Sequence, residues 1–95
     1  MEKIIVRSEA GVFVGEADKA TYIKELKSGY MTLHNSMNIN KYEGCASLHQ
    51  LASGKYRDIR LSPMVDTILI KGTYFEILNV KKGAKIYDAT TNWSF

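Results

Sequence analysis

Short apolar or alternating segments separated by turn residues recur along the chain, which is typical of β-strands. These segments predict strands at residues 3–7, 12–18, 66–71 and 74–80. Gly15 lies inside the second strand, where a glycine often marks a bulge or the close approach of another backbone. Residues 21–27 are interpreted as the end of that strand followed by a turn at Ser28-Gly29.

The longest alternating pattern spans residues 30–42. Its odd positions carry apolar side chains at Met31, Leu33, Met37 and Ile39. Its even positions are polar or aromatic: Tyr30, Thr32, His34, Ser36, Asn38, Asn40 and Tyr42. This pattern predicts one long half-buried strand, or two strands joined through a bend near Asn35-Ser36.

Helical signals are confined to two short segments. Ser47 is a favourable N-cap and Gln50 follows three residues later, so the pair forms a capping box. Leu48, Leu51 and Ala52, at positions i, i+3 and i+4, give this helix its buried stripe. Gly54 is suited to end it. A second short helix is predicted within residues 81–88.

These elements predict an α+β fold: a small, mainly antiparallel β-sheet of about five strands with one or two short helices. With 95 residues, the chain is expected to form a single domain over residues 1–95. No apolar run approaches the roughly 20 residues of a membrane helix, and the first residues do not resemble a signal peptide. We therefore expect a soluble cytoplasmic protein.

Charge and cysteine content limit the chemistry of the chain. The net charge is +3: ten lysines and three arginines stand against ten acidic residues, and the sequence shows no obvious basic stripe. The single Cys45 excludes a disulfide framework within the chain. The soft metal ligands are Cys45, His34 and His49, too few for a structural zinc site, so neither a metal nor another cofactor is expected.

A nucleophilic site at Cys45 is the one catalytic hypothesis that the sequence offers. His49 follows Cys45 by four residues, so the two could form a thiolate–imidazole pair across one helical turn. The competing interpretation is that Cys45 is a small buried residue in the turn before a helix. The second interpretation is favoured, and no enzymatic activity is expected.

The even face of residues 30–42 is the candidate binding surface. It combines stacking planes with hydrogen-bonding groups, the mixture that holds bases and nucleotides, at Tyr30, His34, Asn38, Asn40 and Tyr42. Arg57 and Arg60 are the candidate phosphate ligands. The alternative is that this face is an ordinary solvent-exposed side of a sheet or a polar subunit contact.

Two aromatic residues, Trp93 and Phe95, close the sequence. They predict that the C-terminal segment docks either onto the body of the domain or onto a second subunit. The second possibility makes them candidate contacts of a homo-oligomer.

Three stretches resemble a family of uncharacterised proteins of about this length from phages, prophages and bacteria. They are an Ala-Gly-Val-Phe-x-Gly motif in the second strand, a Gly-x-Ala-Ser-Leu-x-Gln-Leu-Ala motif at the helix, and residues 65–78. Tyr42 and Cys45 depart from the tryptophan and alanine that are common in this family. The resemblance implies a phage-like setting and transfers no functional residue.

Together these features predict a non-catalytic binding protein of phage type that counteracts host defence by sequestering a nucleotide signalling molecule. The alternative is a binder of nucleic acid, or of a host nucleoprotein or enzyme that it would inhibit by occlusion. Salt dependence separates the two, because each phosphate contact of a nucleic-acid binder releases counterions.

Overall fold

The computed structural model describes residues 1–95 and is built around one antiparallel sheet. In chain order, the elements are β1 (Glu2–Ser8), β2 (Gly11–Ala17), α1 (Lys19–Leu26), β3 (Tyr30–Glu43), α2 (Leu48–Ala52), β4 (Asp58–Leu61), β5 (Val65–Lys71), β6 (Glu76–Asn79), β7 (Tyr87–Asp88) and β8 (Trp93–Ser94). The predicted α+β class is confirmed, with six strands in the main sheet and two short helices.

The main sheet has the order β4-β3-β2-β1-β6, and β5 lies beside β3 on the same side as β4. β5 pairs with the first half of β3 and β4 with the second half, so the two form one interrupted edge strand. Pro63 lies at the interruption, where its missing N–H cannot join the ladder. At this point the Ser62 hydroxyl, in place of a backbone carbonyl, accepts a hydrogen bond from the Asn38 backbone N–H at 2.7 Å.

The sheet is covered on both faces, which explains why three consecutive residues of β1, at positions 4–6, are all buried. The Ile5 face carries the larger cluster and packs against α2 and the C-terminal segment. The Ile4 face carries a second cluster that packs against α1. Neither helix is long and apolar enough to cross a membrane.

The prediction for residues 21–27 is wrong, because this segment belongs to helix α1. Asp18 is its N-cap: the side chain accepts from the Thr21 backbone N–H at 3.1 Å and from the Thr21 hydroxyl at 2.8 Å. Tyr22 and Leu26 lie one turn apart and pack onto the Ile4 face. The cap and the i, i+4 apolar pair together make this short helix stable in its tertiary setting.

The helix predicted within residues 81–88 is also wrong. A turn closed by the Ala84 N–H and the Lys81 carbonyl begins the segment, and β7 then pairs with β8. Buried Asp88 holds this hairpin against the sheet, because its carboxylate accepts from the backbone N–H groups of Leu61, Thr90 and Thr91. These hydrogen bonds, that to Leu61 first, hold the pKa of Asp88 below its usual range.

Candidate functional site

The predicted polar face of residues 30–42 does not exist as one surface. Residues directly opposite each other in an antiparallel pair share a face, so the register assigns each side chain. The register between β2 and β3 shifts between Val14 and Glu16, where Asn35 adopts a φ of 47°. It shifts again between β3 and β4, where Asn40 is the extra residue. Two bulges therefore divide the strand into three parts.

Each bulge moves the following side chains to the other face. Tyr30 and His34 lie on the Ile5 side of the sheet, where His34 is opposite Glu16 and Thr67. Asn38 is opposite Phe13 on the Ile4 side, and Tyr42 returns to the Ile5 side, where it packs against the core cluster. The prediction that these residues share one face is wrong.

Distance separates these residues as well. Twelve residue steps separate Tyr30 from Tyr42 along β3, which corresponds to roughly 35–40 Å of strand. The longest dimension of the whole molecule is 36 Å. Tyr30 and Tyr42 therefore lie near opposite ends of β3, and one nucleotide cannot contact both in a single copy.

The two candidate phosphate ligands already have carboxylate partners. Arg57 pairs with Glu43 at 3.1 Å, and Lys41 pairs with the other oxygen of the same carboxylate at 3.0 Å. The Lys41 and Arg57 contacts hold the pKa of Glu43 below its usual range. Arg60 pairs with Asp58 and lies 4.0 Å from Asp88. A phosphate would have to compete with these carboxylates.

The remaining sequence candidates are placed as follows. Phe95 packs against the Ile5-face cluster beneath the Lys3 ammonium, which lies 5.5 Å from the ring centroid, so this aromatic docks onto the body. Trp93 keeps 39% of its surface exposed, and its role as a subunit contact stays a prediction. Cys45 packs against the same cluster, and no hydrogen bond joins it to the exposed His49.

The distribution of partners among the charged residues is uneven. All three arginines form ion pairs, with Glu76, Glu43 and Asp58 as their carboxylate partners. The carboxylates of Glu9, Glu16, Asp18 and Glu25 accept hydrogen bonds instead, and Asp88 accepts hydrogen bonds in addition to its 4.0 Å contact with Arg60. Among the lysines, Lys41 alone forms an ion pair. The cations without a carboxylate partner are therefore lysines.

Two segments without any acidic residue pack against each other. Residues 44–57 contain α2 and the loop after it, and residues 77–87 run from β6 to β7. The Lys81 N–H donates to the Ala52 carbonyl at 2.9 Å, and the Tyr56 hydroxyl donates to the Lys85 carbonyl at 2.8 Å. Gly54, with a φ of 78°, lies against Ala84 and the Lys85 backbone.

This meeting of two loops brings together four exposed lysines: Lys55, Lys81, Lys82 and Lys85. We refer to these four residues as the basic end. None of them forms an ion pair, and the ammonium of Lys85 lies 4.6 Å from the centroid of the Tyr87 ring. Sequence reasoning missed this cluster because Lys55 is separated from the other three lysines by more than twenty residues of chain. Both segments lack Asp and Glu, but residues 26–42 do as well, so the sequence alone does not identify the cluster.

No cavity is detected in the single chain, and no three His, Cys, Asp or Glu side chains come together. The chain matches no protein-family model, no curated protein and no solved structure.

Proposed function

We propose that this chain is a non-catalytic binding protein and that its basic end binds the phosphate backbone of nucleic acid. The observation that carries the proposal is the packing of two acid-free segments, which brings four exposed lysines without ion pairs into adjacent loops. Lysine ammonium groups bind phosphates as point charges, and such contacts supply most of the sequence-independent affinity for nucleic acid.

The resemblance to phage and prophage proteins adds a setting to this proposal. A small protein made in an infected bacterium could counteract host defence by covering nucleic acid or a nucleoprotein, which is inhibition by occlusion. Contacts limited to phosphates fix the position of a protein on nucleic acid and read no base sequence. Such a protein would therefore act on many different nucleic-acid targets.

Sequestration of a nucleotide signal stays a second prediction. Tyr30 and Tyr42 are too far apart to hold one nucleotide together within one chain, and Arg57 and Arg60, which lie beside Tyr42, already have carboxylate partners. A nucleotide site that uses both tyrosines would therefore need residues from more than one copy. The two functions respond differently to salt, because a compact ligand releases fewer counterions than a polymer with several bound phosphates.

The test is fluorescence anisotropy with a labelled 20-base-pair DNA duplex and a labelled single-stranded RNA at low salt. Replacing Lys55, Lys81, Lys82 and Lys85 by glutamine should weaken binding by at least about tenfold. The matched control replaces Lys19, Lys24, Lys27 and Lys71, which are also exposed and lack ion pairs, and should keep most of the affinity.

Both quadruple variants lose the same net charge, so the comparison isolates the position of the lysines. Circular dichroism on each variant checks that the fold is retained. Equal losses in both variants would contradict the location of the site. Absence of binding by the unmodified protein at 50 mM salt would contradict the function.

A further inference from the structure

Strand β5 leaves one edge of the sheet open. It pairs with β3 along one side, and no strand pairs along its other side. The Gly72 N–H donates to the Gly29 carbonyl at 3.1 Å, one step beyond the Tyr30–Lys71 pair. Since hydrogen-bonded pairs alternate in an antiparallel ladder, the even-numbered residues of β5 bond to β3.

The odd-numbered residues of β5 therefore direct their backbone N–H and C=O groups toward the open edge. These residues are Val65, Thr67, Leu69 and Lys71. Thr32 supports this assignment, because it lies opposite Leu69 and donates its N–H to Glu25 at 3.0 Å instead of to β5. An open edge with a row of free backbone groups is a template for another strand.

Two of these outward residues also expose large apolar side chains on a single face. Val65 is 46% exposed and Leu69 is 54% exposed. They lie two positions on either side of Thr67. A two-fold axis perpendicular to the sheet through Thr67 would place Val65 of each copy opposite Leu69 of the other.

From this symmetry we infer that a second copy of this chain pairs with β5, antiparallel and centred on Thr67. An axis through Ile68 would place Val65 opposite Lys71, and an axis through Leu69 would leave Val65 without a partner in the strand. Only the Thr67 register gives both exposed apolar residues an apolar neighbour. It ends with Pro63 of one copy opposite Lys71 of the other, residue types that stop further strand pairing.

The resulting dimer joins two sheets into one continuous sheet. A contact limited to one short edge strand buries less than the ~1,200 Å² of a standard stable interface. The dimer is therefore expected to be weak and to form as the protein concentration rises. This surface is separate from the basic end, so dimerisation can be tested without nucleic acid.

Sedimentation velocity without nucleic acid tests the inference. The unmodified protein, with a 10.7 kDa chain, should shift from monomer to dimer as its concentration rises. Leu69→Lys and Val65→Glu should each raise the dimer dissociation constant by at least about tenfold. Each substitution places a charged side chain opposite an apolar one in both cross-strand pairs. Ile23→Lys, at a residue exposed on α1, is the matched control and should leave the dimer intact.

The register predicts a specific rescue. Mixing the Leu69→Lys and Val65→Glu proteins should restore a heterodimer, since one cross-strand pair becomes oppositely charged and the other stays apolar. In a Cys45→Ala background, Thr67→Cys should form an intermolecular disulfide on oxidation, because hydrogen-bonded partners lie about 5.5 Å apart between Cα atoms. A monomer at all concentrations, or a dimer that both single variants leave intact, would overturn the inference.

Discussion

At the scale of single residues, Glu9 joins two loops that are distant in sequence. Its carboxylate lies in the β1–β2 turn and accepts from the backbone N–H groups of Thr73 and Tyr74 and from the Thr73 hydroxyl. These hydrogen bonds lower the pKa of Glu9 to about 2. The carboxylate thus fixes the loop that leads from β5 into β6.

The lowered pKa of Glu9 predicts a pH dependence with a defined sign. The folded protein binds this proton less readily than the unfolded chain, whose glutamates titrate near 4.3. Stability from Glu9 is therefore fully present above that value and is lost as the pH falls toward 2. Glu9→Gln should flatten the dependence of Tm on pH between about pH 4.5 and 2. Equal pH profiles for both proteins would contradict this role.

Gly15 is a second residue whose identity the packing requires. A Cβ atom at this position would lie 2.5 Å from Leu33 Cγ and 3.0 Å from the His34 carbonyl oxygen. Gly15→Ala should therefore lower the free energy of unfolding by about 1–3 kcal/mol in urea denaturation. The cost should shrink in a Leu33→Ala background, and a simple sum of the two single effects would contradict the steric explanation.

The sequence indicated this close approach at Gly15 and a possible bend near Asn35-Ser36, but it did not indicate that side chains of β3 change face at Asn35 and again at Asn40. A period-two pattern assigns each side chain to a face of the sheet only where the strand contains no bulge. The bulges at Asn35 and Asn40 depend on partners in β2 and β4, which are unknown until the strands are paired. The even positions of β3 do carry polar and aromatic side chains, but the two bulges distribute these side chains over both faces of the sheet.

At the scale of elements, the strands were predicted better than the helices. The predicted strands at residues 3–7, 12–18, 30–42 and 66–71 all appear with small shifts in their ends. The helix after Ser47 is confirmed with its N-cap and with Gly54 just beyond its end. Local capping signals and alternation, which need few long-range contacts, account for this success.

Helix α1 was missed because its apolar stripe is short and its stability combines the Asp18 N-cap with packing onto the Ile4 face of the sheet. Asp18→Ala removes the N-cap that the Thr21 N–H and hydroxyl use, and should destabilise the protein by about 1 kcal/mol. Asp18→Asn, which retains a capping oxygen, is the control and should retain most of the stability that the alanine variant loses. Equal Tm values for the alanine and unmodified proteins would show that tertiary packing alone holds α1.

At the scale of the whole molecule, the charges explain why composition was uninformative. A net charge of +3 does not indicate a basic surface. The fold pairs the arginines with carboxylates and occupies most remaining acids with hydrogen bonds, so the uncompensated charge is carried by lysines. The basic end then forms because two acid-free loops pack together. This packing is a tertiary contact that no local sequence motif predicts.

The most direct test of this account is the salt dependence of duplex binding, measured by anisotropy between 50 and 200 mM salt. The logarithm of the binding constant should fall linearly with the logarithm of salt concentration, because bound phosphates release counterions. Replacing the four lysines of the basic end by glutamine should reduce this slope by about 3, while the control set should leave it nearly unchanged. A slope that is the same in all three proteins would contradict the assignment of nucleic-acid binding to the basic end.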